Sequence, residues 1–427
     1  MFFKKTIEDI DLEGKTVLLR ADYNVPLSGD KILDDYRIKQ SLPTINYLLE
    51  KNVRLIICSH LGRPDGQKKL EYSLFPVAKR LQKLIKKDVE FATDCIGEEA
   101  ERALSKITNG QILLLENLRF HPGEEANSTE FAQKLASLAD IFVQDGFGVV
   151  HRAHASTEAI THLLPSVAGF LLKKEVDTIT SVMSEPKRPL MAVVGGAKIA
   201  DKIDILHRFI ELADQVVIGG AMANTFLHSQ GIKVGKSLYD KGELGIARDI
   251  IRKAAQQSKN RKFSFILPYD VIVSKRIDQK SPIRVIDLVA HSLAEIENYP
   301  KRPPKTSVSV AEDDIILDIG PFTAAFIAGN MQSIETVIWN GTLGVTEVKS
   351  LLTGIGPYSH GTNILVRSIV GEFGHRPFSL VGGGDTVSYL TENNLLNLFD
   401  HVSTGGGASL ELMAGRKLPG IEALENK

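Results

Sequence analysis

A chain of 427 residues is longer than a single hydrophobic core usually grows, so two domains are expected. Its 43% apolar and 24% charged content is that of an ordinary globular protein, and a net charge of -1, from 51 basic and 52 acidic residues, argues against a general nucleic-acid or membrane surface. Two cysteines, Cys58 and Cys95, are too few for a disulfide framework, the start MFFKKTIEDIDLEGK does not read as a signal peptide, and no run is apolar enough to span a bilayer. A cytoplasmic protein is expected.

Short apolar runs alternate with amphipathic stretches along most of the chain, the pattern of parallel strands buried under helices. Strands are predicted at 16–19, 54–58, 112–115, 141–144, 190–194, 215–218, 264–267, 336–338 and 378–381. The fold class expected is α/β: two doubly wound, parallel-sheet (Rossmann-like) domains joined by an interdomain helix, with a deep cleft between them. The helix is predicted within 169–189, where Leu171, Leu172, Val176, Ile179 and Val182 recur at helical spacing before Pro-Lys-Arg-Pro. The boundaries expected are 1–170 with the tail 405–427, a hinge at 171–188, and 189–404. The stretch 298–310, with Pro303-Pro304, reads as a surface loop.

Two kinds of chemistry stand out, one in each half. In the first, Arg20, Asp22 and Asn24 alternate along an extended segment, and Arg37, His60-Leu61-Gly62-Arg63, Arg119 and His151-Arg152 each follow a predicted strand or lie just beyond it. Strand ends of an open parallel sheet line one crevice, where guanidinium forks could hold a small, doubly anionic ligand. Taken singly, each arginine could instead be solvated or paired with Glu116, Glu124 or Asp145. In the second half, LVGGGDT at 380–386 runs a strand through three glycines into a helix start. Backbone N–H groups there can approach an anion, and Asp385 at the mouth suits a metal–phosphate, although the glycines could also serve only a tight turn. Lys198 and Lys202, four apart after Gly195-Gly196, suggest a second anion-facing turn on one helical face.

Eight blocks, in order, resemble those of the phosphoglycerate kinase family: KTVLLRADYNVP at 15–26, HLGRP at 60–64, ENLRFHPGEE at 116–125, DGFGVVHRAH at 145–154, GGAKIADK at 195–202, WNGTLGVTE at 339–347, GGGDT at 382–386 and STGGGASLELMAGRKLPG at 403–420. The resemblance covers essentially the whole chain. It implies a reversible, Mg²⁺-dependent phosphoryl transfer between 1,3-bisphosphoglycerate and ADP, giving 3-phosphoglycerate and ATP. It further implies a 3-phosphoglycerate site of Asp22, Asn24, Arg37, His60, Leu61, Gly62, Arg63, Arg119 and Arg152. The nucleotide site implied is Lys198, Lys202, Asn340, Glu347, Gly383, Gly384, Asp385 and Thr386, with Asp385 holding Mg²⁺. Arg37, Lys198, Gly383 and Gly406 are the implied catalytic residues. A monomer working on small molecules, with neither nucleic acid nor membrane as partner, is expected.

The chain departs from the family pattern at Thr342, where a proline is usual, at Thr346, where an aromatic is usual, and at 312–317 before Asp318. Another ATP-dependent carboxylate kinase, or an inactive nucleotide sensor on the same fold, is the alternative; the sensor would be expected to lack Arg37, Lys198 or Asp385, and all three are present. Gly231-Ile-Lys-Val-Gly235-Lys236-Ser237 is one residue too short between its glycines for a Walker A loop, and no G-x-G-x-x-G opens a helix. His151 and His154 have no cysteine beside them and do not read as a zinc pair.

Overall fold

The structure is a computed structural model, and it describes residues 2–288, 310–349 and 356–427. The chain divides into two compact units, Met1–Ser181 with Thr404–Lys427, and Val182–Ser403.

The first unit contains β1 (Thr16–Arg20), a hairpin of β2 (Leu27–Ser28) and β3 (Lys31–Ile32), then β4 (Arg54–Cys58), β5 (Val89–Phe91), β6 (Ile112–Leu114), β7 (Ile141–Gln144) and β8 (Ser166–Ala168). Six of these form a parallel sheet in the order β5-β6-β4-β1-β7-β8. Successive side chains of a strand point to opposite faces, and here both faces are dry. Val17, Leu19, Leu55 and Ile57 belong to one buried cluster, whereas Leu18, Ile56, Leu113 and Phe142 belong to another. That is why the strands read as unbroken apolar runs rather than alternating ones.

The second unit contains β9 (Leu190–Val194), β10 (Gln215–Ile218), β11 (Ser264–Ile266), β12 (Asp270–Ser274), β13 (Arg284–Asp287), β14 (Ile315–Ile319), β15 (Thr336–Asn340), β16 (Phe378–Gly382) and β17 (His401–Val402). A second six-stranded parallel sheet runs β11-β10-β9-β15-β16-β17. The expected α/β class with two parallel sheets is therefore what the chain forms. Beside the second lies a three-stranded antiparallel sheet, β13-β12-β14, that the sequence reading did not foresee. Strands β5, β8 and β17, of two or three residues each, were not predicted. The loop expected at 298–310 lies, except for Val310, outside the described residues.

The helix expected within 169–189 spans Phe170–Ser184. Its first turn is held by Asp145, just beyond β7, whose Oδ1 accepts the Leu172 N–H at 3.1 Å. Gly169 makes room, since a Cβ there would lie 2.2 Å from that oxygen. Burial pushes the Asp145 carboxyl up to about 7, against the opposing hydrogen bond from Thr44. An unfolded aspartate titrates near ~4, so between those values the folded chain holds a proton that the unfolded chain has released. The stability this carboxyl contributes is full below the unfolded value and is lost as pH rises through about 7. Asp145→Asn should thus gain stability relative to the parent as pH rises from ~4 to ~7. Urea unfolding across that range checks this, and a pH-independent difference contradicts it.

Candidate active site

In the first unit the side chains singled out in the sequence gather beyond the C-terminal ends of β1, β4, β6 and β7. Asp22 is buried; its Oδ1 accepts the Asn24 N–H at 3.1 Å, and its Oδ2 is paired with Arg37. Arg37 sits in the first turn of helix Tyr36–Glu50 with its side chain 29% exposed, so the guanidinium remains open to a ligand. Asn24 Oδ1 accepts the Gly62 N–H at 2.9 Å, which joins the β1 and β4 loops. Gly62 is in the left-handed region at φ 64, and a Cβ there would lie 2.3 Å from the Tyr72 ring. Asn117 locks the same turn from the β6 side. Its Nδ2 donates to Leu61 O at 2.7 Å, and its Oδ1 accepts from Leu61 N at 3.3 Å and from Arg119 N at 3.0 Å. Arg119 is buried and donates to Gly62 O at 2.8 Å, with Glu125 3.2 Å away. Arg63 is exposed, and Arg152 is half-buried and donates to His151 Nε2 at 3.3 Å.

Positive charge accumulates here around two buried imidazoles, although Arg37, Arg119 and Arg20 each have a carboxylate nearby. His60 is buried and held well below the usual imidazole range, first by burial and then by repulsion from Arg20, Arg119 and Arg37. His154 is lowered to about 4, by burial and then by Arg119, Arg20 and Arg152. Both rings are thus neutral near pH 7, first because burial disfavours the imidazolium and then because the guanidiniums repel it. A doubly negative ligand would relieve that repulsion. Arg20 departs from the alternating face expected for it. It is fully buried at the end of β1, donating to Ser156 Oγ at 2.8 Å, lying 3.3 Å from His60 Nδ1 and 3.8 Å from Glu124. Its guanidinium orients His60 from beneath and does not face solvent.

The second unit builds a different surface. β9 ends in Gly195-Gly196 and β15 in Asn340-Gly341, and the two turns interlock: Gly195 N donates to Asn340 O at 2.9 Å, and Gly196 N to Thr342 O at 3.2 Å. Thr342 keeps its carbonyl in this bond. A Cβ on Gly195 would lie 2.0 Å from that carbonyl oxygen. Gly195→Ala should therefore destabilise this unit by about 1–3 kcal/mol, the cost of overpacking, and weaken nucleotide binding. Denaturation and ADP titration measure both, and a variant matching the parent in each would contradict the interlock.

Lys202 donates to Gly195 O and is lowered to about 8, by burial first, with Asp385 acting in the opposite sense. Lys198 is exposed on the preceding loop. The two lysines do not share a helical face, as the spacing had suggested, because a 3-10 turn at Ala200–Lys202 precedes helix Ile203–Leu212. What shapes the loop is Glu243, a residue sequence reasoning missed, whose two oxygens accept the N–H groups of Ile199 at 3.1 Å and Ala200 at 3.0 Å. No local motif announces a carboxylate that far along the chain.

Opposite, β16 runs through Gly382 into Gly383, which is left-handed at φ 96, and helix Gly384–Glu392 begins at once. Thr386 Oγ1 accepts the Gly341 N–H at 2.8 Å, tying this turn to β15. Asn340 Nδ2 is buried beside Gly383 with no hydrogen-bond partner among the described residues, a donor left for a ligand oxygen. Asp385 is exposed in the first helical turn. A carboxylate beside free N–H donors and a buried ammonium fits a divalent cation bridging to phosphate.

Between these turns lies a cavity of about 150 Å³ whose lining includes Gly196, Gly220, Leu317, Leu343, Glu347 and Asp385. The unusual stretch 312–317 thus ends in Ile316 and Leu317, which help form its apolar wall. Asp318 also lines it, fully buried, accepting N–H groups of Ile319 at 2.8 Å and Gly361 at 2.9 Å; burial raises it to about 8. Gly406 belongs to the first unit, at φ 49 ahead of helix Gly407–Met413.

The family profile described as phosphoglycerate kinase matches residues 7–416. The chain belongs to the phosphoglycerate kinase family. A phosphoglycerate kinase from Moorella thermoacetica is 42% identical over 424 residues, 99% of this chain and 100% of the relative. Among solved structures, a phosphoglycerate kinase from Coxiella burnetii superposes with TM-score 0.78 at 36% identity over 98% of each chain. One from Pyrococcus horikoshii gives TM-score 0.81 at 28% identity, covering 99% of this chain and 98% of that one. Phosphoglycerate kinase homologues thus match at full length, so both halves of the chain fall within the family. No helix among the described residues is long and apolar enough to cross a membrane.

Proposed function

We propose that this chain catalyses reversible transfer of a phosphoryl group between 1,3-bisphosphoglycerate and ADP, with 3-phosphoglycerate held by the first unit and the nucleotide by the second. The observation that carries the assignment is the pairing of a full-length phosphoglycerate kinase match with two dissimilar half-sites, an arginine cluster and a glycine-turn cavity. Family membership does not favour another carboxylate kinase, and Arg37, Lys198 and Asp385 are all in place, unlike in an inactive sensor.

The attacking group is a carboxylate in one direction and a phosphate oxygen in the other. Neither needs deprotonation, so no general base is required, and catalysis reduces to alignment and neutralisation of the migrating phosphoryl charge. The neutral state of His60 and His154 agrees with this: they donate or accept hydrogen bonds and do not shuttle protons. In the proposal Asp22, Asn24, His60, Leu61, Gly62, Arg63, Arg119 and Arg152 hold 3-phosphoglycerate, with Arg37 next to the group in transfer. Lys198, Lys202, Asn340, Gly383, Gly384 and Thr386 hold nucleotide phosphates, Glu347 the ribose edge of the cavity, and Lys198 with the N–H groups at Gly383 and Gly406 supplies charge during transfer. Asp385 would hold Mg²⁺, which supplies charge neutralisation at the phosphate oxygens when bound. Direct transfer demands that the two ligands meet, so we assign the helix Phe170–Ser184 as a hinge for closure. The enzyme works as a cytoplasmic monomer in this reading.

Purified protein given ATP and 3-phosphoglycerate, with product formation coupled to NADH oxidation, should consume NADH in the presence of Mg²⁺ and stop when EDTA is added. Folded protein that stays inactive with Mg²⁺ overturns the assignment.

A further inference from the structure

The first unit carries a second set of ligand-bearing side chains that the transfer reaction does not use. Asp94 and Cys95 lie between β5 and helix Gly97–Ser105, and His121 precedes helix Pro122–Glu125. One carboxylate oxygen of Asp94, the Cys95 Sγ and a ring nitrogen of His121 lie within 4.8 Å of one another. The arrangement is held from several sides. Asp94 Oδ1 is 2.6 Å from His121 Nε2 and accepts the Cys95 N–H at 2.7 Å, while the His121 ring leans on Phe131 at a centroid distance of 5.5 Å. Cys95 is buried, whereas the Asp94 and His121 side chains are 34% and 29% exposed. The thiol is therefore a floor, with the other two groups forming a rim open to water.

We propose that Asp94, Cys95 and His121 form a binding site for a borderline-soft divalent transition-metal ion such as Zn²⁺ or Co²⁺, separate from the nucleotide's magnesium. The donor set decides the class of ion: thiolate and imidazole select Zn²⁺ and its neighbours, whereas Mg²⁺ and Ca²⁺ call for oxygen alone. One thiolate and one carboxylate balance a divalent charge, leaving a neutral centre at a half-buried place. The charged groups facing it are Lys68, whose Nζ donates to Thr93 O at 2.9 Å, and Glu124 beneath; their charges oppose each other. Burial keeps the free thiol protonated, so on binding the metal–sulfur bond forms as the S–H bond breaks and the proton leaves to water. The His121–Asp94 hydrogen bond is exchanged for two metal bonds, and water completes a tetrahedron. Bond lengths of about 2.0–2.3 Å require the three groups to draw together, with the partly exposed Asp94 and His121 side chains moving in toward the sulfur. His121 is two residues from Arg119, so a bound ion would also pin the segment that carries an arginine of the substrate cluster.

Co²⁺ titrated into the full-length, EDTA-treated protein tests this. A thiolate-to-cobalt charge-transfer band should appear in the near ultraviolet and saturate at one ion per chain, persist in Asp385→Ala, and vanish in Cys95→Ala. Should Cys95→Ala fail to fold, His121→Asn and Asp94→Asn, both at the solvent-facing rim, should each weaken the band's Co²⁺ affinity by about tenfold or more. No band, or one unchanged in the rim variants, overturns the proposal.

Discussion

Arg37→Ala should lower kcat by about 100-fold or more, the loss expected for one donor aimed at charge that develops only during transfer. The guanidinium is placed for that task by its own fold. It stands in the first turn of helix Tyr36–Glu50, anchored through one nitrogen to buried Asp22, and its side chain is partly exposed. An anchor on one side and an open face on the other is what a positioned transition-state donor needs. Arg37→Lys keeps the charge but loses the fork, so it should recover only part of the rate. Removing Arg37 also strands the Asp22 carboxylate, so a melting curve must accompany the coupled assay. Folded Arg37→Ala with near-parental turnover would remove Arg37 from the mechanism.

The second large effect is expected on the nucleotide side. Asp385→Ala should raise the KM for ADP in the presence of Mg²⁺ and lower kcat/KM by about 100-fold or more, since metal charge stabilisation is worth several kcal/mol. The side chain is exposed at the edge of the cavity, so its loss should leave stability within about 0.5 kcal/mol of the parent. That contrast distinguishes a metal ligand from a structural carboxylate such as Glu243, which caps two backbone N–H groups. An unchanged KM for the metal–nucleotide would assign Asp385 to solvation alone.

Sequence reading found strands that stand out as apolar runs, such as Leu190–Val194, which has no polar face to blur it, along with the short β6 and β11. Strand β12 was missed although all five of its residues are buried: Asp270 and Ser274 frame a short apolar core that follows closely on β11. Strand β13 is mostly exposed, and its residues carry no apolar period at all. The candidate site was legible as clusters of residue type, since arginines and glycines follow strand ends at fixed places in the chain. Their roles were less so. Arg20 has the same local surroundings in sequence as a ligand-facing arginine, and only its burial against Ser156 and Glu124 shows otherwise. Lys198 and Lys202 have helical spacing, yet Glu243, more than forty residues on, holds their loop out of helix. Long-range partners of this kind leave no trace in a local pattern.

Two separate half-sites should bind two separate ligands, and calorimetry on single variants tests that division. Arg63 and Lys198 are both exposed. Arg63→Ala should bind 3-phosphoglycerate at least about tenfold more weakly, the loss of roughly 1.4 kcal/mol expected for a charge-assisted contact, while binding Mg-ADP like the parent. Lys198→Ala should do the reverse. Loss of both ligands in either variant, or of neither in both, would contradict the division of the site between the two units.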